Sequence, residues 1–483
     1  MRSIDRVMSK YLSRSLSLSL LLALSACSIG EPIKRSELLD RALPGQNLPG
    51  QYGGTNKQAI NNSVTNQAFQ SIAWLESFND PELTELAKLA IQSAPDFRIY
   101  AARLDQAEAM MKAVGGSFYP NVGVQAKTGS KLGLDGTGTS GYYVGANWEL
   151  DLWGRVRASY ANAKENAKAI AADQESAKLS FMANLAKTLW SARVLHLQAQ
   201  IAQESAEHQE KILEHVKQRE KIGASSKQDI LSAEINLAQA KELALNLKNA
   251  SQQNLKTLDV LVGRYPVGTP LKNHGLPKSP SAINTGVPSD LLERRPDIVA
   301  AAARVDAARF NVKEAEATRL PKISLTAGFG RISSEVFVLK TDSSNPSAGV
   351  GVTLPIFTGG ALQARVESRQ AELDQAFAAY AKVGLNAFRE VESALSGEQS
   401  WRTRYAELNQ IYQLQQNIQK STDAEFVIGR IDQRQVLQQK IRTNTAHSNE
   451  ATNQFIFIFG WPSHLKATSN HQKSGVKREY TIY

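Results

Sequence analysis

The sequence predicts a mainly α-helical protein with a β-barrel, in which short alternating strands cross a membrane and very long helices lead away from it. Three observations carry that expectation: two strand-like stretches with one apolar and one polar face, helical stretches far longer than an ordinary domain needs, and an internal duplication that repeats both. Composition fits, because 483 residues with 42% hydrophobic and 21% charged side chains can fill two or three domains. An aromatic content of only 7%, beside abundant alanine, glutamine and asparagine, suits long helices packed through small side chains and an elongated shape.

The chain opens on a targeting segment. Arg2, Arg6, Lys10 and Arg14 precede the apolar run from Leu16 to Leu24, and Ser25-Ala26-Cys27 follows. That run is too short to span a bilayer. The "LSAC" at 24–27 resembles the lipobox of bacterial lipoproteins, which makes residues 1–27 a signal and Cys27 an acylated mature N-terminus. Cys27 is the only cysteine, so no disulfide competes for it. Ser28, by resemblance to the lipoprotein sorting rule, directs the chain to the outer membrane. Loss of four basic groups and Asp5 lowers the formal charge from +10 to about +7. The remaining basic residues alternate with acids along helices instead of gathering with aromatics, so no nucleic-acid partner is expected.

The duplication is visible when "SAPDFRIYAARLDQAEA" from Ser93 is laid on "RRPDIVAAAARVDAARF" from Arg294, an offset of about 201 residues that also brings Pro120 onto Pro321. Further on, "REKIGASSKQDIL" matches "FVIGRIDQRQVL". Each half is therefore expected to run helix, strand, loop, strand, long helix, turn, helix.

The strands alternate. From Tyr142 to Leu152 one face holds Tyr142, Val144, Ala146, Trp148, Leu150 and Leu152, and the other holds Tyr143, Gly145, Asn147, Glu149 and Asp151. Ile323 to Gly330 divides in the same way, with Ile323, Leu325, Ala327 and Phe329 on its apolar side. A half-buried soluble sheet would show this pattern too, but strands of about ten residues on a chain sent to an outer membrane match a transmembrane barrel. Four strands cannot close one, and unpaired edges in lipid cost several kcal/mol for each exposed amide. Copies of the chain must therefore share a barrel. Two copies would make eight strands with a filled interior, whereas three make twelve and leave room for a pore.

The helices come next. Arg155 to Ile222 contains neither proline nor glycine over about 68 residues, roughly 100 Å of helix at 1.5 Å per residue. Leu185, Leu189, Ala192, Leu195, Ala199, Ala202 and Ala206 recur at spacings of 3 and 4 with a mean of 3.5, and Ile230, Ala233, Leu237, Ala240, Ala244 and Leu247 alternate spacings of 3 and 4 on the returning helix. That period is a left-handed coiled-coil seam, and its alanines let helices approach closely.

Several motifs in fixed order resemble the TolC-like outer-membrane efflux factors, in the lipoprotein branch typified by OprM and NodT. They are Cys27, "WLESFNDPELTEL" from Trp74, "WELDLWGRVRA" from Trp148, "VPSDLLERRPDI" from Val287 and "LPIFTGGALQA" from Leu354. Asp80-Pro81 also fits a helix N-cap with proline in the first turn, and Pro296-Asp297 opens the second repeat's first helix. The resemblance implies a homotrimer with a twelve-stranded barrel embedded in outer-membrane lipid, a periplasmic α-helical tunnel and a mixed equatorial domain. It places the signal at 1–27, an N-terminal equatorial segment at 28–94, repeats at 95–263 and 296–462, an inter-repeat linker at 264–295 and a polar tail at 463–483. The implied role is the exit duct for small molecules in a tripartite pump. Its partners would be a periplasmic adaptor protein and an inner-membrane transporter, commonly proton-driven. A duct for peptide or protein secretion and a non-conducting lipid-anchored scaffold are the alternatives.

Within that frame, Trp148, Trp153 and Phe357 are expected as membrane-interface anchors. The turns Ile222-Gly223-Ala224 and Ile428-Gly429-Arg430 are expected as periplasmic tips that contact the adaptor, and Asp229, Gln435 and Gln438 as lining the periplasmic gate. At the matching gate positions the family commonly carries carboxylates, so the glutamines predict weaker cation selectivity here. No catalytic residues, cofactor or metal are expected. The seven histidines, His196, His208, His215, His274, His447, His464 and His471, form no ligand cluster with acids, and no nucleophile elbow occurs.

Overall fold

The structure is a computed structural model that describes residues 33, 35–42, 73–127, 138–278, 295–336 and 339–468. Cys27 and the rest of the signal, most of the "VPSDLLERRPDI" motif and the tail from 469 lie outside the described residues. In chain order the elements are α1 (Arg35–Ala42), α2 (Ala73–Glu76), α3 (Pro81–Ser93), α4 (Pro95–Gly115), β1 (Asn121–Lys127), β2 (Gly138–Leu150), α5 (Arg155–Lys221) and α6 (Lys227–Leu261). The second half follows with α7 (Pro296–Ala317), β3 (Lys322–Val336), β4 (Leu339–Thr353), α8 (Ala361–Val427) and α9 (Gln433–Thr468). Helix α9 thus continues past residue 463, where the polar tail was expected to begin.

The described residues divide into two compact units, one comprising 33, 35–42, 103–127, 138–172, 300–336 and 339–383, the other 73–102, 173–278, 295–299 and 384–468. The first contains all four strands, paired antiparallel in the order β1-β2-β3-β4. Two hairpins, one from each repeat, therefore meet along β2 and β3. Directly opposed residues share a face, so the register lines up Val124, Val144, Phe329 and Pro346 in one row, and Trp148, Leu325 and Val350 in another. The intervening rows, such as Asn121, Asn147, Thr326 and Gly349, fall on the opposite face. Apolar residues on the first face stand in the open: Val124 is 70% exposed and Val350 68%. On the other face the Tyr143 ring covers Gly145, Gly328 and Gly330, and a Cβ on Gly328 would collide with its hydroxyl.

Strand limits differ from the sequence expectation at both ends. Chain pairing ends at Leu150, not Leu152, because the Asp151 carboxylate accepts the backbone N–H groups of Val156 and Arg157, both at 2.9 Å, and so caps α5. Gly154, at φ +75°, turns the chain between them. At the far end β3 continues to Val336 although the alternation stops after Phe329, where Arg331 takes the next position on the apolar side. Backbone pairing carries the ladder through Thr139, Ser334 and Thr341 whatever the side chains are.

The described parts of the expected N-terminal segment 28–94 fall in both units. Ile33 N–H donates to the Asp306 carboxylate at 3.0 Å, Leu38 is buried and Arg41 sits over the Phe377 ring, which ties residues 33–42 to the sheet-bearing unit. Residues 73–94 belong to the other unit. There Trp74, Leu75, Phe78, Leu83 and Leu86 pack on Leu185, Leu189 and Trp190 of α5. Phe78 and Trp190 ring centroids lie 4.7 Å apart. The 3.5-residue seam runs through this unit as well: Leu185, Leu189, Ala192, Ala202 and Ala206 are buried on α5, and Ala233, Ala244, Ser251, Leu255 and Leu258 on α6. Near their turn the cluster of Ile212, Leu213, Val216, Ala233 and Leu437 joins α5, α6 and α9.

Candidate functional site

The two helix-to-helix turns are built alike. In the first, Gly223 has φ +72°, its N–H donates to the Glu220 carbonyl at 2.9 Å, and Ala224 N–H donates to the Arg219 carbonyl at 2.8 Å. In the second, Gly429 has φ +74°, with Gly429 to Phe426 at 2.9 Å and Arg430 to Glu425 at 2.9 Å. Both are Schellman closures, which need a left-handed residue that glycine alone adopts without strain. They leave Ile222 79% and Ile428 71% exposed. The Arg219 guanidinium reaches Asp432 at 3.5 Å, so the expected tips of both repeats come together in this unit.

Each turn is followed by an N-cap. Ser226 caps α6: its hydroxyl accepts Asp229 N–H at 3.1 Å, and the Asp229 carboxylate accepts Ser226 N–H and Ser226 O–H, both at 2.8 Å. This is a reciprocal capping box. Asp432 caps α9, accepting Gln435 N–H at 3.0 Å. Asp229 and Gln435 thus occupy the same third position after the cap in the two repeats. The Asp229 carboxyl is held below its ordinary range, first by the Ser226 backbone and side-chain hydrogen bonds and then by the charges of Arg434 and Arg219. Its charge is spent on closing its own helix and faces two guanidinium groups. Gln435 is exposed and Gln438 half-buried beside buried Val436, Leu437 and Gln439. The cap was legible in "SSKQD", where serine precedes an acid by three residues, although the sequence reading gave Asp229 a gate role.

The three expected interface residues lie in the sheet-bearing unit. Trp148 sits in an apolar row and its Nε1 donates to the Phe118 carbonyl at 3.0 Å. Trp153, 36% exposed, donates to the Pro321 carbonyl at 2.7 Å. Phe357, between β4 and α8, is 90% exposed beside Ile356 at 92%.

One buried charge cluster escaped the sequence reading. Arg193, with a side chain 1% exposed, donates to both Asp80 oxygens at 2.6 and 2.9 Å, to Glu82 at 2.9 Å and to the Gly275 carbonyl at 3.0 Å. Trp190 Nε1 adds a bond to Asp80 at 3.1 Å. Glu82 also accepts the backbone N–H groups of Lys272 and Asn273, so the cluster pins the inter-repeat segment onto α3 and α5. Asp80 keeps its expected N-cap role through Leu83 N–H at 3.2 Å.

Among the described residues no group of histidine, cysteine and acids could hold a metal ion, and no helix is long and apolar enough to cross a membrane. The second statement does not bear on the strands.

The outer membrane efflux protein family matches residues 86–264 and 287–454. The chain is 32% identical over 356 residues to the pyoverdine export outer membrane protein OpmQ of Pseudomonas putida, covering 69% of this chain and 74% of that one. It is 30% identical over 395 residues to the toluene efflux pump outer membrane protein TtgF of Pseudomonas putida, covering 79% and 81%. The Campylobacter jejuni CmeC outer membrane channel shares its fold, with a TM-score of 0.74 at 22% identity over 88% of this chain and 94% of that one. With an exposed apolar sheet face, duplicated hairpins and these likenesses, the chain is an outer-membrane efflux channel and belongs to the outer membrane efflux protein family.

Proposed function

We propose that three copies of the chain close a twelve-stranded barrel and form the passive exit duct of a tripartite pump, carrying small molecules from an adaptor and a proton-driven inner-membrane transporter to the exterior. The observation that supports this reading best is the open sheet: four strands with an exposed apolar face and, among the described residues, no partner strand at the outer edges of β1 and β4. In lipid those edges must pair, and β1 of one copy against β4 of the next satisfies them. The cargoes for which the relatives are named, pyoverdine and toluene, favour small molecules over proteins. The tip turns, with exposed Ile222 and Ile428, supply the apolar surface for adaptor contact. Asp229, Gln435 and Gln438 lie beside those turns and border the gate in this reading, and acylated Cys27 adds a lipid anchor that mass spectrometry of the mature N-terminus would reveal.

Light-scattering mass of the detergent-solubilised protein tests the assembly, and export of a small toxic compound by a strain lacking its own outer-membrane channel tests the role. A mass of three chains with restored export is expected. A stable monomer, or a trimer that restores no export, contradicts the proposal.

A further inference from the structure

We propose that the base of the sheet carries a cationic collar, ending in Lys322 and Arg365, that makes the conduit favour anionic cargo over cationic cargo. The proposal rests on the conduit reading above and concerns a site distant in sequence from the tip turns.

Five charged groups form one chain there, contributed by five elements. Lys322, at the start of β3, pairs with Glu149 of β2 at 3.0 Å. Arg155 of α5 holds Glu149 with two bonds, at 2.7 and 2.8 Å, and approaches Glu314 of α7 at 3.6 Å. Arg365 of α8 pairs with Glu314 at 3.0 Å. The signs alternate and both ends are cations, so the chain carries one net positive charge. The inner members are the more shielded: the side chains of Glu149, Glu314 and Arg155 are 16%, 17% and 31% exposed. Lys322 and Arg365, at 56% and 45%, face solvent. The neighbouring Asp151 and Arg157 pair at 3.0 Å and add no net charge.

The surplus charge is displayed at the accessible ends, around a cavity of about 350 Å³ lined in part by Glu149, Arg155, Glu314, Lys322 and Arg365. Glu149 shares the polar face of β2 with Tyr143 and Asn147, opposite the apolar rows. In a barrel that meets lipid with its apolar face, the polar face lines the lumen. Lys322 lies on that polar face with Ser324, and three copies then bring three such lysines to the conduit at one level, each tied through Glu149, Arg155 and Glu314 to an Arg365. Charges in a narrow low-dielectric wall act on ions within about a Debye length, roughly 10 Å at 0.1 M salt and 3 Å at 1 M.

The test uses the purified full-length protein in planar bilayers under a potassium chloride gradient, with reversal potentials for wild type, Lys322→Gln, Arg365→Gln and the double variant. In about 0.1 M salt the double variant is expected to lower the chloride-to-potassium permeability ratio roughly threefold or more, and the difference should vanish near 1 M. Lys322→Arg and Arg365→Lys should keep the wild-type ratio, which separates charge from packing. An unchanged ratio in the double variant overturns the collar. If that variant fails to insert, the single Lys322→Gln, at an exposed end of the chain, decides in the same way. A wild type that never conducts overturns the conduit reading instead, and the collar with it.

Discussion

Replacing Arg193 by methionine removes the cation from a buried cluster while keeping most of its volume. Asp80 and Arg193 side chains are each 1% exposed and Glu82 is 8% exposed, so the variant leaves two shielded carboxylates without their charged partner. Breaking such a pair from one side costs about 3–5 kcal/mol, because a buried charge is left uncompensated. At roughly 2–4 °C per kcal/mol for a unit of this size, the melting point should fall by about 10 °C. The pH dependence distinguishes this mechanism from simple packing loss. In the wild type, burial pushes the Asp80 carboxyl up, but the hydrogen bonds and charge of Arg193, with Trp190 and Leu83 N–H, outweigh it and hold the group below its ordinary range. A depressed folded value contributes stability that is present above the unfolded carboxylate pKa and is lost as pH falls through the folded value. In Arg193→Met burial is opposed only by the Trp190 and Leu83 N–H hydrogen bonds, so the folded value should rise and the penalty should ease on acidification. Circular-dichroism melts at about pH 7 and about pH 4 should therefore show a gap between wild type and variant that narrows at the lower pH. A gap that stays constant, or one below about 1 kcal/mol at pH 7, refutes the reasoning.

At the tips, Gly223 and Gly429 have open space where a Cβ would stand, so alanine there pays only the left-handed backbone cost of about 1–2 kcal/mol. Gly429→Ala should speed amide exchange at the end of α8 without changing assembly mass, and Gly429→Trp should weaken adaptor capture; a tryptophan variant with intact capture and export sinks the docking role. Asp229→Asn should fray the first turn of α6 in the same exchange experiment. Acidifying the wild type through the depressed Asp229 value should do likewise, and exchange indifferent to both changes contradicts the cap. If the proposed trimer brings its three Gln435 side chains together at the gate, Gln435→Asp should strengthen block by multivalent cations. If wild type is blocked as strongly, and Asp229→Asn alone abolishes that block, the glutamines are irrelevant to it.

Local features were legible in sequence. The long helix from Arg155 ends at Lys221 because Ile222-Gly223 supplies the Schellman turn, and the same grammar recurs at Gly429. The capping acid at Asp229 was equally present in the pattern, three residues after Ser226. Features that depend on distant partners were not legible. Arg193 meets Asp80 across 113 residues, and Arg365 meets Glu314 across 51, with no periodicity to announce either. The strand ends were misplaced for a related reason: Asp151 continues the alternation of β2 perfectly well, and only the helix behind it claims its carboxylate.

The claim that one face of the sheet meets lipid and the other lines water is tested most directly by cysteine labelling of cells with a water-soluble maleimide. Cys27 is the only native cysteine, and acylation would leave it unreactive. Gly349 and Val350 are neighbours on β4, on opposite faces, with Gly349 opposed to Thr326 and Val350 to Leu325. Gly349→Cys should label, through the lumen, and Val350→Cys should not. Labelling of Val350→Cys with protection of Gly349→Cys would turn the sheet inside out and contradict the account.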